Sequence, residues 1–204
     1  MTVRLPAVER KQQVLDAACK IFAQRGFHAT SMDEIASAVG VTKPVLYQHF
    51  SSKRALFLEL LDDVGQQLLN ELSKATGSAD SQRSRVESGF TAYFRFVTGN
   101  EPAFRLLFGA AVRNDPDFNI ATQRILDDVA DVIADLIEIP GSTEHRRVLA
   151  HGLIGIAEAT SRDALTDDGS ALDPAVLANW VSELAWFGLR GVRVDESDRA
   201  EYPG

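Results

Sequence analysis

Apolar residues recur along most of this chain with the 3.6-residue period of an amphipathic helix. Val14, Ala17, Ala18, Ile21 and Phe22 fall at i, i+3, i+4, i+7 and i+8, which predicts a first helix ending at Arg25-Gly26. Ser31 followed three residues later by Glu34 has the form of a capping box and predicts a short second helix that stops at Gly40. Thr42 is placed to cap a third short helix, with Pro44 tolerable because first-turn amides have no intrahelical acceptor to lose. Leu56, Leu60, Val64, Leu68 and Leu72 then mark a long fourth helix with a second apolar row at Phe57 and Leu61. The small polar stretch Thr76 to Ser81 reads as a linker. Five further helices are expected at about 82–98, 102–113, 117–138, 144–166 and 174–191, and the tail from Val194 is expected to fray. Nothing alternates with the period of a strand. The expectation is an all-α chain of about nine helices, divided into 1–54, a connecting helix 55–75, and a larger C-terminal domain 76–204.

Charge sharpens this division. The 204 residues carry a net charge of -8, yet residues 1–54 sum to +4 and the remainder to -12. A polyanion would therefore be met by the first quarter of the chain. The start, Met1 to Lys11, lacks the apolar run of a signal peptide, and the single Cys19 suits a reducing compartment, so a cytoplasmic protein is expected.

Two short helices joined by the Gly40-centred turn have the form of a helix-turn-helix, whose second helix enters the major groove of DNA. At 100° per residue, Lys43, Pro44, Tyr47 and Gln48 occupy one arc of the third helix, and Val45, Leu46, His49 and Phe50 the other. The first arc has reading chemistry. Lys43 suits guanine O6 or N7 or a phosphate, Gln48 an adenine edge, and the Pro44 ring and Thr42 methyl a thymine methyl. Tyr47, Lys53 and the amides near Thr30 and Ser31 are candidates for backbone phosphates. An exposed polar face without a partner fits the same pattern.

Residues 10–60, above all the run from Gly40 to Phe57, GVTKPVLYQHFSSKRALF, resemble the DNA-binding domain of the TetR family of bacterial transcriptional regulators. The resemblance implies an all-α homodimer with an N-terminal three-helix DNA-binding unit and a C-terminal domain that takes a small effector. It implies groove contacts from Thr42, Lys43, Pro44, Tyr47 and Gln48, and phosphate contacts from Thr30, Ser31, Tyr47, His49 and Lys53. His49 also lies on the packed arc, where a structural histidine is an equal reading. Pro44 stands where the family often has Gly or Ala, and Arg54 where an acidic residue is common.

In the acidic part, Tyr93, Phe94, Phe104, Phe108, Val112 and Ile156 are candidates for the wall of an effector site, with the Tyr93 hydroxyl and either Arg105 or His151 as polar anchors, although such aromatics also make plain core. They imply a largely apolar or aromatic effector. Gly152, Gly155 and Ala159 form a strip of small residues. Trp180, Val181, Leu184, Phe187 and Gly188 form a row on the last helix. Together these are the expected dimer surface, with packing inside one protomer as the alternative.

No catalytic motif, cofactor loop or metal-ligand spacing stands out; His145 and His151, six residues apart, do not share a helix face. The resulting expectation is a regulator that is no enzyme and needs no cofactor or metal, most simply a repressor released from a near-palindromic duplex operator by a small effector. The alternatives are control by a protein partner and, remotely, an enzyme acting on an apolar substrate.

Overall fold

The computed structural model describes residues 6–139, 141–166 and 173–192; the expected frayed tail and most of the 166–170 connection lie outside them. Among the described residues every regular element is a helix. The order is α1 (Ala7–Ala29), α2 (Met32–Val39), α3 (Lys43–His49), α4 (Lys53–Gly77), α5 (Gln82–Gly99), α6 (Glu101–Leu107), α7 (Ala110–Asn114), α8 (Pro116–Leu136), α9 (Thr143–Thr166) and α10 (Pro174–Gly191). The nine expected helices are all present, and the one read at 102–113 is broken in two. The break falls at Gly109, whose backbone approaches the Arg105 carbonyl too closely for a Cβ.

Local chemistry sets the first elements. Gly26, at φ 78° and ψ 164°, ends the straight part of α1 and turns the chain into a final short segment. The capping box forms as expected: the Ser31 hydroxyl accepts from the Glu34 amide at 3.2 Å, and Glu34 Oε2 accepts from the Ser31 amide at 2.9 Å. That backbone hydrogen bond, helped by Arg25, holds the Glu34 carboxyl below its ordinary range. Gly40, left-handed at φ 71°, closes α2. Thr42 differs from expectation, because it occupies the N-cap of α3 but its side chain makes no capping bond.

The chain forms two compact units, and they do not follow sequence order. The first comprises residues up to Gln66 together with Asn100–Gln123, and the second Gln67–Gly99 with Arg124 onward. The expected boundary near 76–81 is therefore displaced, since those residues lie inside the second unit. The reason is burial. Ala103, Phe104, Leu106 and Leu107 of α6 are enclosed, and α6 and α7 pack on α1. Phe118, 1% exposed, joins Phe22, Phe27 and Phe57 in a cluster of rings, with centroid distances of 4.4 Å to Phe57 and 4.9 Å to Phe27.

Arg54 closes the same region. Its guanidinium forms two bonds of 2.7 Å to Asp115 and one of 2.5 Å to Asp117, and lies 4.6 Å from the Phe118 ring centre. Asp115 also caps α8, accepting from the Asp117 amide at 3.0 Å. The Arg54 bonds hold the Asp115 carboxyl at about 2, below its ordinary 3.8. A depressed acid stabilises the fold fully above its unfolded pKa and loses that contribution as pH falls through the folded one. We expect Asp115→Asn to lower the melting temperature at pH 7 and to shrink the further drop between pH 4 and pH 2; equal acid sensitivity in both proteins would assign that drop to other carboxyls.

In the second unit α5 packs on α10 and α9. A separate cluster of Ala130, Ala134, Ile137 and Ala150 is covered by Leu153, Ile154 and Leu189. No helix among the described residues is long and apolar enough to cross a membrane.

Candidate nucleic-acid interface

The first unit presents α3 on a support of α1 and α2. Ile35, Ala36 and Val39 of α2 are buried, as are Leu46 and Phe50, which fix the inner side of α3. Lys43, Pro44 and Gln48 are exposed on the outer side, and Tyr47 is 42% exposed. The two arcs read from the sequence are thus separated as the wheel requires. His49 is half-buried with its ring 6.3 Å from that of Phe50, between the two readings offered for it. Ser31 is exposed but its hydroxyl is engaged with Glu34.

Two candidates for phosphate contact are placed differently. Thr30 is 2% exposed, and its hydroxyl donates to the Gly26 carbonyl at 2.9 Å, so its side chain fastens the end of α1 and does not face solvent. Lys53 donates to the carbonyls of Phe27, His28 and Thr30 at 2.7, 3.3 and 2.7 Å, and its ammonium lies 4.5 Å from the Phe27 ring centre. An ammonium has three protons, and three acceptors already hold them. Lys53 therefore satisfies carbonyls that the end of α1 leaves open and fixes the segment that leads into α2. We expect Lys53→Met to weaken DNA binding while leaving the slope of log affinity against log salt unchanged. A slope smaller by about 0.9 would return Lys53 to the phosphate contacts.

Three other cations of this unit are paired within it. Lys11 meets Glu59, Arg25 meets Glu34, and Lys43 bonds Asp33 at 3.0 Å. The hydrogen bond that Lys43 donates to Asp33 raises the Lys43 pKa, so this ammonium stays charged. The Lys43–Asp33 pair has no sequence signal, because the partners are ten residues apart on different helices.

The residues suggested for an effector site are divided between the units. Phe104 and Val112 are buried and Phe108 half-buried in the first, with Phe104 and Phe108 ring centres 5.0 Å apart. Phe94 is fully buried in the second, and Ile156 is half-buried. His151 is a correction. It is exposed on α9 beside Asp127 at 3.5 Å, and so forms part of a polar surface. Tyr93 is enclosed, and burial pushes its hydroxyl up to about 12. The Tyr93 and Ser161 hydroxyls, on the packed helices α5 and α9, are close enough to influence each other but neither has a partner at bonding geometry.

The helices α9 and α10 also carry large exposed apolar side chains. Trp180, Leu184 and Phe187 are 57%, 63% and 65% exposed, and Gly188 is exposed beside them. Gly152, Gly155 and Ala159 are likewise exposed on α9. Val148, 64% exposed, extends this face and was not among the sequence candidates. Val181 is the exception, buried against its own protomer at 7% exposure.

This arrangement, two short helices joined at Gly40 and packed with α1 so that the second shows a polar outer arc, is that of a helix-turn-helix DNA-binding protein. Residues 14–60 match the family model for bacterial regulatory proteins of the tetR family, and residues 82–188 match a tetracyclin repressor-like C-terminal domain. The chain belongs to the TetR family of transcriptional regulators, which bind DNA and are not enzymes. It is 35% identical over 196 residues to the HTH-type transcriptional activator FasR of Mycolicibacterium smegmatis, covering 95% of this chain and 89% of that one. It is 24% identical to the HTH-type transcriptional repressor KstR2 of Rhodococcus jostii, covering 90% and 80%. Among solved structures it is similar to a TetR-like regulator from Rhodococcus sp. RHA1, with a TM-score of 0.76 and 31% identity over 93% of this chain and all of that one. The Bacillus subtilis regulator FadR in complex with stearoyl-CoA has the same fold, with a TM-score of 0.75 at 16% identity over 89% and 99%.

Proposed function

We propose that α3 reads a near-palindromic operator as part of a homodimer whose occupancy of DNA responds to a small apolar ligand. The observation that carries the DNA reading is the outward arc of Lys43, Pro44, Tyr47 and Gln48 on an α3 fixed from behind by Leu46 and Phe50. Lys43 and Gln48 address base edges, Tyr47 and the amides at the start of α2 address phosphates, and Thr42 and Pro44 offer apolar contact to a thymine methyl. His49 and Ser31 flank these contacts.

Dimerisation through α9 and α10 is supported by the exposed Trp180, Leu184 and Phe187 and by the glycines beside them. A glycine inside a helix costs about 0.5 to 1 kcal/mol relative to alanine. Above Gly152, Gly155 and Gly188 this protomer has no atom within 4 Å of where a Cβ would stand, so nothing inside it requires the lack of a side chain. A second copy approaching closely would.

The ligand reading rests on the second unit, where the enclosed Tyr93 hydroxyl, beside the Phe94 ring and near Ser161, has no partner at bonding geometry. The two hydroxyls would anchor one polar group of an otherwise apolar molecule; the structural relative FadR, in complex with stearoyl-CoA, holds a ligand with a long apolar acyl chain. Ligand binding changes DNA occupancy only through a preference between conformations of different operator affinity. Activation or repression then follows from where the operator lies relative to the promoter.

Selection from a random duplex pool tests the reading. We expect enrichment of two inverted half-sites about 10 base pairs apart, centre to centre, or a multiple of one helical turn. Recovery of no sequence, or of a site without symmetry, overturns it. Within the selected site, Gln48→Ala should lose about 1 to 3 kcal/mol of discrimination at one base position and leave nonspecific binding alone.

A further inference from the structure

Asp33 is the second residue of α2, yet the capping box is completed by Ser31 and Glu34 and does not use it. Its carboxylate reaches forward to α3 and accepts from Lys43 Nζ at 3.0 Å, with both side chains more than half exposed. Lys43 is the first residue of α3. In helix-turn-helix proteins the N-terminal residues of the second helix contact base edges while the first helix crosses the backbone. With this pair intact, a pose that brings Lys43 to the floor of the groove brings the Asp33 carboxylate with it.

We propose that Asp33 is a specificity-determining residue that accepts a hydrogen bond from a cytosine N4 amino group while Lys43 donates to the paired guanine. The inference rests on α3 being the reading helix. Seen from the major groove, a G·C pair presents the acceptors N7 and O6 of guanine and then the N4 donor of cytosine. O6 and N4 are joined by the base-pair hydrogen bond, so they lie about 2.9 Å apart. The protein presents a donor and an acceptor at 3.0 Å, in complementary order. A T·A pair presents the same acceptor and donor at O4 and N6 but sets its methyl group beside O4, on the side where the Lys43 ammonium stands, and the preference of lysine for guanine and of a carboxylate for the cytosine amino group selects G·C. A lone carboxylate would be repelled by the phosphates. Lys43 neutralises it, and the two charges enter the groove together. An acidic residue in the first turn of α2 also favours the helix dipole, but an asparagine would forgo only that small term, and base preference is a separate readout.

The test uses the full-length protein and a random duplex pool, with wild type, Asp33→Asn and Asp33→Ser selected in parallel. Wild type should enrich a G·C pair at symmetric positions of both half-sites. Asn prefers adenine, so Asp33→Asn should move the cytosine of that pair toward adenine and keep the other positions, and Asp33→Ser should relax the position. On the wild-type site, Asp33→Asn should weaken binding by about 5- to 100-fold. Unchanged base preferences in both variants overturn the proposal. So does a uniform gain in affinity on every duplex with a salt slope steeper by about 0.9, which would make Asp33 only the internal counter-ion of Lys43. If the wild type enriches no sequence at all, the α3 reading itself falls; an enriched site indifferent to Asp33 removes this inference alone. Thermal melting of the variants checks that they are folded, as expected for an exposed side chain outside the cap.

Discussion

Trp180→Arg combined with Leu184→Glu should give a folded monomer whose operator affinity is lower by about 10²- to 10⁴-fold, the gain that linking two modest binding events commonly provides. Both side chains are more than half exposed in the protomer, so the substitutions remove little internal packing. Between two protomers the same positions would be central. Fully burying one large apolar side chain is worth about 1.5 to 3 kcal/mol, and each protomer offers Trp180, Leu184, Phe187 and Val148. Two charged groups of opposite sign keep the net charge unchanged, so reduced DNA binding would not reflect a global electrostatic shift. Sedimentation equilibrium measures the outcome. Dimers that survive both substitutions would move the association surface away from α9 and α10.

Phe118→Ala should destabilise the first unit by about 3 to 5 kcal/mol, the usual range for deleting a fully buried phenyl ring. Phe118 is 1% exposed and touches Phe27 and Phe57, while the Arg54 guanidinium lies over it. Its removal leaves a cavity under the start of α4, which three residues separate from the end of α3. A loss on this scale is a large part of the stability of an ordinary domain, so operator binding should fail at temperatures where the wild type is intact. Denaturant unfolding followed by far-ultraviolet circular dichroism gives the number. A change below about 1 kcal/mol would mean that the ring cluster is not a unit of stability.

The elements that were legible in the sequence are those set by neighbours within one turn or two. Ser31 and Glu34 specify their cap wherever the segment lies, Gly40 supplies the left-handed residue that ends α2, and the 100° step separates Lys43 and Gln48 from Leu46. The exposure of the apolar row on α10 was legible for the same reason, except at Val181. It is adjacent to Trp180, and one residue is enough to turn a side chain from the outer face to the inner one. The placements that differ from expectation depend on distant partners. Lys53 looks like a free cation until the carbonyls at the end of α1 are brought to it. Arg54 departs from the family pattern with no visible reason, and Asp115 and Asp117, more than 60 residues away, supply one. The linker at 76–81 was recognised by composition, but composition does not say which helices bury their faces together, and α6 with the start of α8 belongs with α1.

The isolated thiol of Cys19 gives the first unit a built-in chemical clock. It lies on α1 at 7% exposure, and burial, reinforced by Asp16 and Asp63, pushes its pKa up to about 11. Reaction with an alkylating reagent requires a thiolate that is both formed and reachable, and near neutral pH the folded protein offers almost none. With one cysteine in the chain, a single mass increment records each molecule that has opened around α1. The labelling rate, compared with and without duplex DNA, then converts occupancy of the reading surface into a free energy of local opening without any engineered probe.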